Sequence, residues 1–474
     1  MGHLNAGDGL VAVDASRGIV SAGGAVNVTA SGAQFSSQGG DIGAIPGIGN
    51  GPVLTDVDVL AAHSYGSQNF IQVAAGGDVT VGTVGTPDDP ETAGVDERAF
   101  VNRVGLDSSL TEVYLDAKSD LQSESGDIRL ATEWGAITVS DGLADAQSSD
   151  MDGVGVRAAG NILLDAWSMN GNVDGDVTLN AAVVSDAGSI SVLAARNIAQ
   201  NVSGSAKGDL LVVSGDGTID VEAADGAIVM ADGTLGQTDG GHIRYAASGG
   251  ITLGLLDART REARDVAEDG SDNDADSLVD SADPDEQNWN RDTDWGLVSV
   301  WDDTGSVTDG NGGARNIIAR GAVFTVPAGG IGEAEGVGGG PVDLQVGTLA
   351  ALSQGNQYFI QAPDGRDLTI GTVGDGGEQI NYVMFSPVGV GSWDIERMSD
   401  LESTAGSVKV GVRNGSLTVN DGEPMGPRPE MDGVGVRAAE DVLLDAWSMN
   451  GNVDGDITLN AAVVSDAGSI SVLA

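Results

Sequence analysis

The densest chemistry in the chain is a run of acids between Asp269 and Asp285. Taking Asp272 as position 1 places Asp274, Asp276, Asp280 and Asp283 at positions 3, 5, 9 and 12, with the Leu278 carbonyl at 7. Oxygen donors at those intervals suit a loop of about twelve residues wrapped around one hard cation. The expected ligand is Ca2+, held by Asp272, Asp274, Asp276, Leu278, Asp280 and Asp283. Two positions depart from the ideal. Ser277 stands at position 6, where the sharp turn favours glycine, and Asp283 at position 12 is shorter than a bidentate Glu. The competing reading is a solvated acidic linker, since like-charge repulsion opposes any compact form of the empty loop.

Other constellations are weaker. Arg259, Arg261 and Arg264 form a basic spot for an anionic glycan, or else pair with Asp257, Glu262, Asp265 and Glu268 along a short charged helix. Asn172, Asp174 and Asp176, repeated at Asn452, Asp454 and Asp456, offer alternating oxygens for a second cation; an Asp-Gly turn explains them more simply. Trp167 and Trp447 read as sugar-stacking platforms or as half-buried corner residues. Asp220 and Glu222 share one strand face and imitate the paired acids of a polysaccharide-cleaving enzyme, although outward carboxylates are the default on so acidic a surface. The three histidines, His3, His63 and His242, are scattered, which gives a His-based metal site or a Ser-His-Asp triad little to build on. Gly47 to Gly51 is glycine-rich but lacks the Lys-Ser/Thr of a phosphate loop. No enzyme is expected.

The elements that must position these residues follow from composition and period. Globular cores usually stop growing at about 250 to 300 residues, so a chain of 474 needs several domains or a linear repeat. Glycine is abundant at 74 residues while hydrophobic residues still make up 41%. Turns and core therefore coexist. The balance of 21 basic against 71 acidic residues repels nucleic acid and anionic membrane and favours divalent cations as partners. With no cysteine, stability must come from burial and backbone pairing. Neither a signal-peptide pattern after Met1 nor a membrane-spanning run of about 18 apolar residues is visible, and an excerpt of a longer protein is expected.

A short phrase recurs: Gly160 to Ala166, Gly175 to Ala181, Gly188 to Ala194, Gly217 to Ala223. In the second, Val177, Leu179 and Ala181 alternate with Asp176, Thr178 and Asn180, the period of a half-buried strand. The spacing between phrases is too short for a helical crossover, so coils of two or three strands stacked as a β-solenoid are expected. A longer repeat lies over this one. Residues 151 to 194 return at 431 to 474, and only Gly160/Glu440, Asn161/Asp441, Ile162/Val442 and Val177/Ile457 differ. Upstream, Phe70 to Gln72 and Asp78 to Gly85 return as Phe359 to Gln361 and Asp367 to Gly374 with a shift of 289 rather than 280, which places an insertion within 86 to 118. The expected organisation is a first solenoid module over 1–254, a charged linker with the calcium loop over 255–310, and a second module over 311–474 that duplicates about 22–194.

These phrases, with Gly175 to Ala194 and its continuation Arg196 to Ile198 as the clearest example, resemble the repeats of filamentous-haemagglutinin-like bacterial surface adhesins. The Asp272 to Asp283 run resembles the Asp-rich calcium repeats of thrombospondins and bacterial surface proteins. The first resemblance implies an all-β, right-handed parallel β-helix exported to the extracellular bacterial surface as a stalk or adhesin. It also implies host or neighbouring-cell glycans or proteins as partners, with end-to-end or lateral self-association. It names no binding residues. A calcium-dependent carbohydrate-binding module and a polysaccharide lyase or hydrolase on the same scaffold are the alternatives.

Overall fold

The computed structural model describes residues 1–44, 51–73, 77–85, 100–104, 109–114, 116–143, 151–169, 171–268, 295–334, 336, 338–362, 367–374, 376–385, 389–422, 431–446 and 455–474. The chain is a parallel β-helix, and the expectation of a β-solenoid holds. By internal contacts it divides into two compact units, Met1–Leu210 with Val383–Val390, and Leu211–Tyr382 with Gly391–Ala474.

In the first unit each complete coil contributes three strands. One face stacks Gln68–Gln72, Ile128–Thr132, Ile162–Ala166 and Ile190–Ala194 in parallel. A second stacks Val79–Val81, Ile137–Val139, Val177–Leu179 and Ile198–Gln200. A third stacks Leu121–Ser123, Val154–Ala158 and Ala182–Ser185. Alternation explains the registers. Val177 and Leu179 are buried between Ile137 and Val139 on one side and Ile198 and Gln200 on the other, while Thr178 points outward beside Thr138. Short strands suffice because their backbone groups pair with strands of the coils above and below.

The second unit repeats the device. Ile219–Ala223, Ile243–Ala247 and Leu297–Asp302 form one stack; Gln357–Gln361, Val408–Val412, Val442–Asp445 and Ile470–Leu473 form another. Leu255–Asp257, Leu297–Asp302 and Val307–Asp309 are all solenoid strands, so the interruption lies inside 255–310 and is shorter than that span. Arg261–Glu268 is the one helix among the described residues, and no helix there is long and apolar enough to cross a membrane.

The duplication is visible in the interior. Phe35 packs on Phe70 at 5.3 Å in the first unit, and Phe324 on Phe359 at 5.3 Å in the second. Gln72 and Gln361 each bridge the long strand beneath, donating through Nε2 to the carbonyls of Val57 (2.7 Å) and Val346 (2.8 Å). Stacked coils also dictate glycine. A Cβ on Gly188 would lie 2.4 Å from the Gly160 carbonyl carbon, and one on Gly468 would lie 2.5 Å from that of Glu440. Position 160 itself tolerates the change to Glu440 because Asp127, whose carboxylate abuts Gly160, is matched in the second unit by the smaller Ser407.

Candidate functional site

The predicted calcium ligands Asp272, Asp274, Asp276, Leu278, Asp280 and Asp283 lie outside the described residues, as do Trp447, Asn452, Asp454 and Gly47 to Asn50. The described residues contain no group of three or more His, Asp or Glu arranged for a metal ion. The smaller constellations resolve into local structure. Asn172 donates through Nδ2 to the Ala166 (2.8 Å) and Gly135 (3.1 Å) carbonyls and accepts from the Asp174 backbone N–H, while Arg196 pairs with Asp176 at 2.9 Å. These contacts build a turn. Arg259 is buried against Asp257, with Nη2 to Oδ2 at 2.7 Å, and Arg264 donates to the Thr238 carbonyl at 2.7 Å. Of the three arginines, Arg259 is thus held by an ion pair and Arg264 by a backbone carbonyl. His63 donates its Nε2–H to the Ser119 carbonyl (3.0 Å), and burial beside Lys118 lowers its pKa to about 4; the half-buried His242 accepts the Leu297 N–H at Nδ1 at 2.9 Å.

Asp220 and Glu222 do meet a partner. Arg244, on the next coil and in register with Asp220, donates through one Nη1 to both carboxylates, at 2.6 and 2.9 Å. Burial pushes Asp220 up to about 6 even though the guanidinium opposes it. Asp220 is enclosed, whereas Glu222 reaches the surface and turns into a cleft.

That cleft is the most site-like feature of the second unit. Its floor is the outward column of the stack Ile219–Ala223, Ile243–Ala247 and Leu297–Asp302, where Glu222, Ala246 and Trp301 stand side by side. The small Ala246 leaves a depression between an acid and an indole. The opposite wall comes from the hairpin Gln379–Met384 and Gly389–Asp394, which contributes Ile380, Trp393 and Asp394, and from Ile395 and Glu396 just after it. Trp393 is 50% exposed and held by stacking on Tyr382, with centroids 4.8 Å apart and planes at 26°. Trp301 donates through Nε1 to Asp303 at 2.5 Å, which orients its ring. The cavity of about 390 Å³ falls within the usual size of small-ligand sites, roughly 300–1,000 Å³. Two indole faces, four carboxylates and one guanidinium offer stacking surfaces and hydrogen-bond acceptors for a polyhydroxylated ligand.

Alternation along Leu297–Asp302 places Trp301 outward and so made it readable as a surface aromatic. Nothing local to Trp393 announces that its hairpin will stand opposite. Trp167, the aromatic singled out by the duplicated stretch, is 36% exposed at a turn closed by Asp165, which accepts the N–H groups of Trp167 (3.0 Å) and Ser168 (2.7 Å).

A second recurrent feature is buried. Asp120 and Asp400 sit at matching places, each followed by a buried leucine, with Asp141 and Asp421 nearby. Burial and the neighbouring carboxylate push Asp120 up to about 8 and Asp400 up to about 6, although Gly422 donates its N–H to Asp400 at 2.9 Å.

Comparison with protein-family models, with curated proteins and with solved structures finds no match to this chain.

Proposed function

We propose that the chain is a structural stalk or adhesin segment of a large secreted bacterial surface protein. The observation that supports this reading is the coil-by-coil parallel stacking, which recurs in both duplicated modules down to individual buried side chains such as Phe70 and Phe359. Stacked coils extend without limit on size, because each contacts only its neighbours. In this reading Ca2+ at Asp272, Asp274, Asp276, Leu278, Asp280 and Asp283 stiffens the segment between the modules. The test is the melting temperature and small-angle scattering profile of the whole chain with calcium and with chelator. Both change under the proposal, and identical curves overturn the calcium role.

The cleft of Glu222, Trp301 and Trp393 favours a second reading, a carbohydrate-binding surface on the same scaffold. Binding of the whole chain to immobilised glycans, repeated with chelator, separates the alternatives. Retention that survives chelation assigns sugar binding to the cleft, and retention abolished by chelation assigns it to the calcium loop.

A further inference from the structure

The charge balance of the cleft between Trp301 and Trp393 narrows the chemistry of its ligand. Its lining side chains include four carboxylates, on Glu222, Asp303, Asp394 and Glu396, against a single cation, Arg244. That cation is already committed. Its Nη1 donates to Asp220 at 2.6 Å and to Glu222 at 2.9 Å, and Asp220 is enclosed. The other carboxylates meet only neutral donors: Asp303 accepts from the Trp301 indole and Asp394 from Gln379 Nε2 at 2.9 Å, while Glu396 is exposed. An anionic ligand therefore finds no uncommitted cation in the cleft, and a cationic one finds three carboxylates.

Exposed acids alone would be ordinary on a chain with 71 acidic and 21 basic residues. The two indoles set this place apart. Trp301 rises from the solenoid floor and Trp393 from the opposite wall, where its stack on Tyr382 holds it half in solvent. Between Glu222 and Trp301, in register with both, the small Ala246 leaves the space in which a ring can lie.

These surfaces make separate demands. Indole faces take the C–H face of a sugar ring and attract a cation through the ring quadrupole. Carboxylates accept charge-assisted hydrogen bonds and donate none. A neutral sugar uses the indoles but leaves the carboxylates to water, and a quaternary ammonium uses the indoles but has no N–H to give. A primary ammonium carried on a sugar ring meets both demands, since it brings positive charge and three donors together with an apolar ring face.

We propose that the cleft binds amino sugars with a free, protonated amine in preference to their N-acetylated forms. This rests on the carbohydrate reading of the cleft and narrows it from polyhydroxylated ligands in general to basic ones. Trp301 and Trp393 supply the stacking faces, and Asp394 and Glu396 supply the preference for the amine.

The experiment is titration calorimetry of the whole chain in chelator at about pH 6, where a sugar amine is protonated. The ligands are the β-1,4-linked trisaccharide of glucosamine, the same trisaccharide fully N-acetylated, and trilysine, which carries ammonium groups without a sugar ring. The glucosamine trisaccharide is expected to bind about tenfold tighter than either of the others, the worth of one hydrogen bond to a charged group, with the margin shrinking as salt is added. Trp393→Ala should weaken both sugars about tenfold. The double variant Asp394→Asn, Glu396→Gln, which changes two exposed residues, should keep the wild-type melting temperature and its affinity for the acetylated sugar while losing most of the preference for the amine. Equal affinity for the two sugars overturns the proposal and leaves the carbohydrate reading standing; no binding of either sugar overturns both. Trilysine bound as tightly as the glucosamine trisaccharide, or a preference undiminished in the double variant, assigns the attraction to general surface charge and overturns the proposal.

Discussion

Asp120 and Asp400, 280 positions apart, adopt the same left-handed backbone, with φ of 67° and 70°, and each donates its N–H to a glycine carbonyl at 3.3 Å, Gly82 for one and Gly371 for the other. They are the only non-glycine residues with positive φ among those described. Asp tolerates that conformation better than most side chains. Both backbone carbonyls then accept an N–H from the adjoining long strand, from Ala62 at 2.8 Å and from Ala351 at 2.9 Å.

The buried pair sets a pH dependence. Each carboxyl has a folded pKa above its ordinary value, so the folded state holds the proton more tightly than the unfolded chain. Stability from this source is complete below about pH 4 and is lost as pH rises, to about 8 for Asp120 and about 6 for Asp400. Asp120→Asn keeps the left-handed backbone and removes the charge. Its melting temperature should match the wild type at pH 4 and exceed it at pH 8 by about 2–4 °C, the shift for roughly 1 kcal/mol in a domain of this size. A lower melting temperature at pH 8 contradicts the burial argument.

Arg244 is the counter-charge of both Asp220 and Glu222. Arg244→Ala leaves an enclosed carboxylate without its cation, which costs about 3 kcal/mol or more in comparable sites. Asp220 escapes by protonation, and since its pKa already stands at about 6 the loss should shrink as pH falls from 8 to 5. Denaturant melts at the two pH values measure this. Equal losses at both would show that the damage is to packing alone.

The close contact at Gly188 makes a geometric prediction. A methyl group there meets the backbone of Gly160 and Asn161 at 2.4 and 2.5 Å, and backbone cannot swing aside as a side chain can. Gly188→Ala should destabilise by about 1–3 kcal/mol, the usual range for overpacking. By contrast, Gly2→Ala, with nothing within 4 Å of the added carbon, should be neutral. Thermal unfolding of the two variants side by side checks the pair.

Phe70 and Phe359 are each buried against one other ring, in different units. Truncation to Ala should cost about 3–5 kcal/mol in either case. The two units respond independently if each folds around its own core. Calorimetry of Phe70→Ala should therefore shift one transition and spare the other, and a uniform shift of a single transition would refute independent cores.

Much of the fold was legible because strand alternation is local. Val177, Thr178 and Leu179 announce an inward–outward–inward strand on their own, and the repeat of 151 to 194 announces that the coil recurs. Three strands per coil emerge only from pairing, since no single phrase shows which phrase lies above it. The extent of the interruption within 255–310 was harder to read, because Leu255–Asp257 and Val307–Asp309 are too short to stand out beside the charged residues that flank them. The cleft was half legible. Glu222 and Trp301 follow from alternation on stacked strands, but Trp393 arrives on a hairpin whose docking depends on tertiary contacts.

The proposed function makes the solenoid a surface for binding rather than a site of turnover. The most direct test incubates the whole chain with acidic and neutral polysaccharides, following retention and product size in the same samples, alongside Trp393→Ala. A binding scaffold predicts saturable retention, weakened about tenfold in Trp393→Ala, with polysaccharide length unchanged after prolonged incubation. Shortening of any polysaccharide that is abolished by Glu222→Gln would contradict it and identify the cleft as an active site.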